Sequence, residues 1–362
     1  MSLDKFTRTA AAYYAERGNI LEGGKLGIDR FLFNVDDIDT AADFRLDQLI
    51  VNPHGVAFRH RDEQSHVREY EAGSGEVYEV PHVSEKTPIS ERLRDAVVAG
   101  IESTAGMGIH EQRRITQIID QHSAAHTATR WKLALDTIRT GVFSPLGLNG
   151  NSIGLEIDFG RDASLSITYD FTAVGATIDA ALKELYDAYI AMGGNPMEVC
   201  IIAGSQWIQK FQSDEDVLER MKANTANILV RQSLMPPELR NTQGLYLVAD
   251  YLIPGTLQPI YLCGYQPRNK FVAYPGATAE DFMPTDEAVI FSIQDPRFRV
   301  FRGVDALTAG GAKVRTAGEI VFDSFVSQDP VTEYLRSQTR FAVVPGNINR
   351  TGRSVGTFEA VS

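Results

Sequence analysis

Residues 109–147 read IHEQRRITQIIDQHSAAHTATRWKLALDTIRTGVFSPLG, and between Gly108 and Gly141 the chain has 32 residues without glycine or proline. At 1.5 Å per residue this predicts one helix of roughly 48 Å, far longer than the usual helix. Its apolar residues change face midway. Ile115, Ile118, Ile119 and His122 share one side at helical spacing. Ala124, Ala128, Trp131, Leu135 and Ile138 follow in steps of four and three. At about 100° per residue they lie almost opposite the first set. A helix serving one compact core keeps one stripe, so this pattern predicts a spine packed against different layers at its two ends.

Upstream, residues 1–44 carry few core-forming side chains, and Gly23, Gly24 and Gly27 interrupt them. They read as an extended arm with helical pieces, packing on something other than its own domain. Residues 45–88 hold two strand-like runs, RLDQLIV and EVYEVPHV, around RHRDEQSHVREYEAGSG. Both charge signs interleave there, which predicts a long solvated β-hairpin loop, with a disordered linker as the other reading. Arg59, Arg61, Glu63, Arg68 and Glu71 on that loop are candidate inter-subunit contacts. Arg113 and Arg114, the compact basic spot of the long helix, read either as a solvated face or as a contact to an acidic neighbour.

Downstream, Ile153, Leu155, Ile157 and Phe159 alternate with polar or small residues, as do Leu165, Ile167, Tyr169 and Phe171. With Gly160 to Ala163 between them, they predict a hairpin with one buried face. The pattern then turns to α/β. A helix from Ala176 to about Met192 points Ile178, Leu182, Leu185, Tyr186 and Tyr189 inward, and Gly193-Gly194 ends it. EVCIIAG is a buried strand, and Ser213 is a plausible N-cap for DEDVLERMKAN. LYLVADYLI, PIYLCGY, KFVAYP, AVIFSI, GEIVFDSFV and RFAVVP read as further strands. The expected class is α+β.

Composition narrows the function. The net charge of −12 argues against a surface built to neutralise phosphates. The only two cysteines, Cys200 and Cys263, lie in apolar runs and read as buried thiols, not a disulfide framework. No stretch has the apolar length of a membrane span, and the first residues lack the apolar core of a signal peptide. The expected place of synthesis and assembly is a cytoplasm.

The constellations that carry chemistry are missing or incomplete. His122 and His126 stand one helical turn apart, as metal ligands often do, but no HExxH surrounds them. They read as a polar interface patch before a metal site. EAGSGE lacks the spacing of a phosphate loop, no GKS or GKT occurs, and Ser205 in AGSQW lacks the second glycine of a nucleophile elbow. No catalytic residue, cofactor site or metal site is assigned. Arm, charged loop and spine are parts whose surfaces need partner subunits.

In this order the parts resemble the phage lambda type of major capsid protein, a branch of the Hong Kong 97-like capsid fold. FRLDQLIVNPHGVAF resembles the entry into that family's extended loop, and SGEVYEVPHV its returning strand. Residues 109–147 resemble the spine helix with early arginines and a glycine stop, and EIDFGR the turn that follows. IDAALKELYDAYIAMGGNPMEVCIIAGSQWIQKF resembles the first helix and strand of the axial domain, with aromatics at Trp207 and Phe211. DPVTEYLRSQTRFAVVP resembles the late strand returning to the peripheral domain. Residues 346–362 depart from the pattern and read as an added loop before a final strand.

The resemblance implies an N-terminal arm (1–44), an extended loop (45–88), a peripheral domain with spine helix (89–174), an axial domain (175–304) and a return to the peripheral domain (305–362). It implies self-assembly into pentamers and hexamers of an icosahedral shell enclosing double-stranded DNA without sequence-specific binding. A separate scaffold, a portal and possibly a decoration protein are the expected partners, with no membrane. Arm-like text begins within the first residues, which leaves no room for an N-terminal scaffolding segment. Two other readings remain: a cellular nanocompartment shell of the encapsulin kind, and a metal-dependent enzyme using His122 and His126.

Overall fold

Helix, sheet and loop are described by a computed structural model for residues 27–32, 35–38, 43–46, 76–79, 81–89, 109–146, 154–223, 242–256, 258–267, 270–273, 277–293, 298–302, 305–307, 313–315, 320–328, 331–345 and 347–358. In chain order the first elements are α1 (Ile28–Leu32), β1 (Val35–Ile38), β2 (Asp43–Leu46), β3 (Glu76–Glu79), β4 (His82–Ile89), the spine helix α2 (Ile109–Thr140), β5 (Val142–Phe143) and β6 (Ile157–Asp158). Then come β7 (Ser166–Asp170), α3 (Ile178–Ala191), β8 (Val199–Ala203), α4 (Ser205–Ser213), α5 (Glu215–Ala223), β9 (Leu245–Tyr251), β10 (Ile260–Tyr265) and β11 (Glu287–Ser292). The last are β12 (Phe298–Arg302), β13 (Asp305–Leu307), β14 (Lys313–Arg315), β15 (Val321–Gln328), β16 (Val331–Pro345) and β17 (Gly352–Thr357).

Helix α2 spans the glycine- and proline-free stretch, and its burial changes face as the spacing predicts. Ile115, Ile118, Ile119, His122 and His126 are buried from its first half to just past its middle, and Trp131, Ala134, Leu135 and Ile138 towards its end. Ala124 is exposed and Ala128 half-buried, so the second stripe starts a turn later than the sequence suggests. Gly141, at φ +79°, ends the helix. Its N–H donates to Thr137 O at 2.9 Å, a backbone arrangement that favours glycine.

The second half of α2 lies against a six-stranded sheet of order β7-β17-β11-β8-β10-β9. Strand β8 is central and buried at every residue, because both of its faces are covered. Val199, Ile201 and Ala203 point to α3 and α4. Cys200 and Ile202 point to the core shared with Trp131, Leu135 and Ile138 of α2, Phe341 to Val344 of β16, and Ile28 and Leu32 of α1. The two cysteines are free and buried, with Sγ atoms 3.8 Å apart. The helix expected from Ala176 is α3, with the expected residues inward, and Gly194 N–H donates to Tyr189 O.

The first half of α2 faces a second sheet. Its order is β1-β12-β16-β15, with β4 also paired to β16. Strand β16 is 15 residues long: β15 and β4 flank its N-terminal part, and β12 pairs with its C-terminal part. The base of the expected extended loop is present as the antiparallel pair β2–β3, which sets Phe44 opposite Tyr78.

Three local expectations are corrected. The hairpin expected over residues 153–171 does not form: β6 pairs with β5, and β7 lies parallel to β17. The turn between them is tied elsewhere. Asp162 caps a short 3-10 turn by accepting from Ser164 N at 2.9 Å, while its own N–H donates to Asn349 Oδ1 at 2.8 Å. The N-cap of α5 is Asp214, because Ser213 is the last residue of α4. The Asp214 carboxylate accepts from Asp216 N and from Ile178 N, so it holds the starts of two helices. KFVAYP contributes, among its described residues, an isolated bridge from Phe271 to Glu280.

Candidate functional site

The spine helix touches both sheets, and each of its halves makes one polar junction. At the first, the strand returning from the loop base (β4), the helix and β16 meet. His122 Nε2 lies 2.7 Å from Thr87 Oγ1 of β4, and its Nδ1 lies 3.0 Å from Ser337 Oγ of β16. His126 Nε2 lies 2.8 Å from the same Ser337 hydroxyl. His82 Nε2 reaches Gln338 Oε1 at 3.1 Å. Both helix histidines are buried inside the subunit. That corrects their reading as a surface interface patch: β16 covers the face they occupy. Burial, and next to it the neighbouring His122, pushes His126 down to about 4. Burial also lowers His122, against the pull of Glu85. The ring nitrogens facing Thr87 and Ser337 are engaged by hydroxyls. Among the described residues no group of three or more His, Cys, Asp or Glu is arranged to hold a metal.

At the second junction the end of α2 meets the six-stranded sheet through a buried carboxylate. Glu287, the first residue of β11, accepts from Arg139 Nη1 of the helix at 2.9 and 3.1 Å. It also accepts from Arg353 of β17, at 2.9 Å from Nε and 2.6 Å from Nη2. Arg139 further pairs with Asp136, which pairs with Lys132. Burial works against the charge of Arg139, yet the carboxylates of Asp136 and Glu287 raise its pKa. Beside them Arg161 closes the helix. Its guanidinium donates to the carbonyls of Ile138 and Arg139 and to Thr351 Oγ1, satisfying oxygens left over at the helix C-terminus. Burial, and then Arg353, push Arg161 down to about 10.

None of these residues was singled out from the sequence. Glu287 gives a faint signal, as an acid opening an otherwise apolar strand. Arg161 gives none, because its partners are 22, 23 and 190 residues away. Residues 347–358, within the stretch that departs from the resembled pattern, turn out to be central. Ile348 is in the core, Thr351 and Arg353 serve the junction, and Phe358 stacks on Phe171 at 4.7 Å. Of the candidate contacts, Arg113 and Arg114 lie near the start of α2, but their side chains fall outside the described residues. Arg59, Arg61, Glu63, Arg68 and Glu71 also lie outside them.

A cleft of about 560 Å³ is lined by Asp179, Asp216, Glu219, Arg220 and Pro254. Asp179 is already engaged by Arg220 and by the Tyr251 hydroxyl. Among the described residues no helix is long and apolar enough to cross a membrane.

The model of the phage major capsid protein E family matches residues 29–351. The chain belongs to this family. No curated protein matches. Among solved structures, a protein of an Escherichia coli CFT073 prophage, described as its capsid protein, is 16% identical. The match covers 99% of this chain and 100% of that one, with a TM-score of 0.63. A phage-related protein of Bordetella bronchiseptica RB50 gives 0.48 at 9% identity, over 95% of this chain and 96% of its own. The mature capsid of bacteriophage PhiM1 gives 0.46 at 10%, over 92% and 88%. The fold is α+β and Hong Kong 97-like. The protein is thus a major capsid protein, a building block of an icosahedral shell located in the virion capsid. Family and fold are those of a structural protein.

Proposed function

We propose that this capsid protein forms pentamers and hexamers of a closed shell around double-stranded DNA, and performs no chemistry on a substrate. The observation that carries the reading is the division of labour along α2: one helix joins two separate sheets, and β1 and β4, which adjoin the arm and loop residues, both belong to one of them. Strand β1, at the end of the arm, runs parallel to β12 at a sheet edge, and β4 runs along β16 directly after the loop base. Segments anchored this way suit contacts beyond their own subunit. In this reading 1–44 is the arm, 45–88 the extended loop, and the sheet beside β4 the peripheral part. Residues 175–304 are the axial part, clustering at five-fold and six-fold centres, and their sheet takes in β7 and β17 from outside that range. Arg59, Arg61, Glu63, Arg68, Glu71, Arg113 and Arg114 are proposed contacts between subunits.

The partners are further copies of the chain, a separate scaffold, a portal and possibly a decoration protein, with assembly in the cytoplasm of a bacterial host. The net charge of −12 fits a wall that encloses DNA without gripping it. Negative-stain microscopy and analytical ultracentrifugation of the chain, alone and with the products of neighbouring genes, test this. Closed particles holding DNA and a portal are expected. Small discrete oligomers under all conditions, or particles filled with a co-purifying enzyme, overturn it.

A further inference from the structure

The histidine junction has a direction that follows from its atoms. His126 Nδ1 is buried with no hydrogen-bond partner. A bare lone pair there costs less than an unsatisfied N–H, so the ring proton sits on Nε2 and is donated to Ser337 Oγ. The Ser337 hydroxyl, with one proton to give, then donates to His122 Nδ1. That leaves the His122 proton on Nε2, donated to Thr87 Oγ1. The result is a one-way chain, His126 to Ser337 to His122 to Thr87, running from the spine helix to β16, back to the helix and on to β4.

A further proton either buries an unpaired charge or forces this chain to rearrange. On His126 it goes to Nδ1, where a charged N–H is left buried without an acceptor. On His122 it goes to Nδ1, against the proton that Ser337 already points there, so Ser337 must turn that proton away from both rings and accept from each of them. We propose that this chain is an acid-released latch: neutral, it fastens the first half of the spine helix to the β4–β16 ladder, and protonation of either ring frees that half while the six-stranded sheet stays closed. The inference goes beyond the shell reading and concerns each subunit by itself.

The surrounding charges bear on the two rings unequally. From the helix, Arg130 opposes a charge on His126, as do His82 of β4 and His122 itself. From β4, Glu85 favours a charge on His122. Lys86 of the same strand sits over the Tyr334 ring of β16, 5.4 Å from its centre. Arg336 and Arg340 of β16 flank Ser337 in sequence, paired in register with Lys86 and His82. Among the described groups that act on the two rings, the permanent charges are thus Arg130 against His126 and Glu85 in favour of His122. The folded value of His126, about 4, lies below the ordinary 6.5. Its contribution is therefore complete above about 6.5 and is lost as the pH falls towards 4.

The test is hydrogen exchange on the purified full-length protein, in the state in which it assembles, between pH 7.5 and 5 and normalised for intrinsic rates. Peptides covering 82–89 and 115–126 are expected to lose protection by roughly 30-fold from His126 alone, while residues 199–203 of β8 stay protected. Flat protection at 82–89 and 115–126, or equal loss at β8, overturns the proposal. His126→Gln should abolish most of the pH dependence; a full response retained in it is equally contrary. Should that variant fail to fold, Glu85→Gln at its exposed position serves instead. It should move the release to lower pH, and an unmoved or raised midpoint overturns the latch.

Discussion

Arg139, the penultimate residue of the spine helix, and Glu287, the first residue of β11, form an ion pair at 2.9 Å in which the carboxylate is almost wholly buried. The pair joins the helix to the six-stranded sheet, and Arg353 completes it from β17 at 2.6 Å. Such a carboxylate is hard to remove, because its loss takes this buried partner from Arg353 and leaves Arg139 with Asp136.

Glu287→Ala is therefore expected to destabilise the subunit, by somewhat less than the roughly 3–5 kcal/mol of deleting one partner of a wholly buried pair, because both arginines keep some contact with water. Thermal unfolding of the unassembled protein checks this. Replacing Arg139 together with Glu287 by apolar residues of similar volume should cost much less than the single change; equal losses would mean that the pair itself carries little.

Trp131 is buried where the helix turns its second stripe to the core, with its ring 6.4 Å from that of Phe282. Trp131→Ala should cost roughly 3–5 kcal/mol. Its Nε1 has no hydrogen-bond partner, so Trp131→Phe loses volume but no hydrogen bond and should retain most of the stability. A melting temperature unchanged in the alanine variant would refute the change of face along α2.

Gly204 sits between β8 and α4, where a Cβ would fall 2.1 Å from Pro284 O and 2.5 Å from Thr285 O. Backbone oxygens cannot step aside as a side chain can. Gly204→Ala is expected to destabilise by about 1–3 kcal/mol, as overpacking does, with a lowered midpoint in urea unfolding as the readout.

The shell is expected to be held by non-covalent contacts. From Gly55 to Pro81 the chain has no lysine, and arginine, protonated at any physiological pH, is a poor nucleophile for an isopeptide bond. Lys86 lies on β4, opposite Arg336 and against the Tyr334 ring. Particles boiled in detergent should run as one band near 39.9 kDa; a reductant-resistant ladder would contradict this. Exposed ion pairs on the loop are each worth on the order of 0–1 kcal/mol, so such a shell should loosen at high ionic strength.

The sequence by itself determined what local periodicity can carry. The spine helix and its change of face follow from the spacing of Ile115, Ile118 and Ile119 against Trp131, Leu135 and Ile138. Helix α3 and the all-apolar β8 follow likewise, and so does the family, which rests on the order of these elements. Only the tertiary structure decided the pairings. Leu165 to Phe171 alternate as a strand should, but alternation says which face is buried and not which neighbour is bonded, and the partner proved to be β17, nearly two hundred residues on. The two junctions were equally hidden. Ser337 lies 211 and 215 residues from the histidines it links, and Glu287 lies 148 and 66 from its arginines. A hydrogen bond or ion pair depends on where the backbone brings two groups, and separations of that size leave no imprint on local pattern.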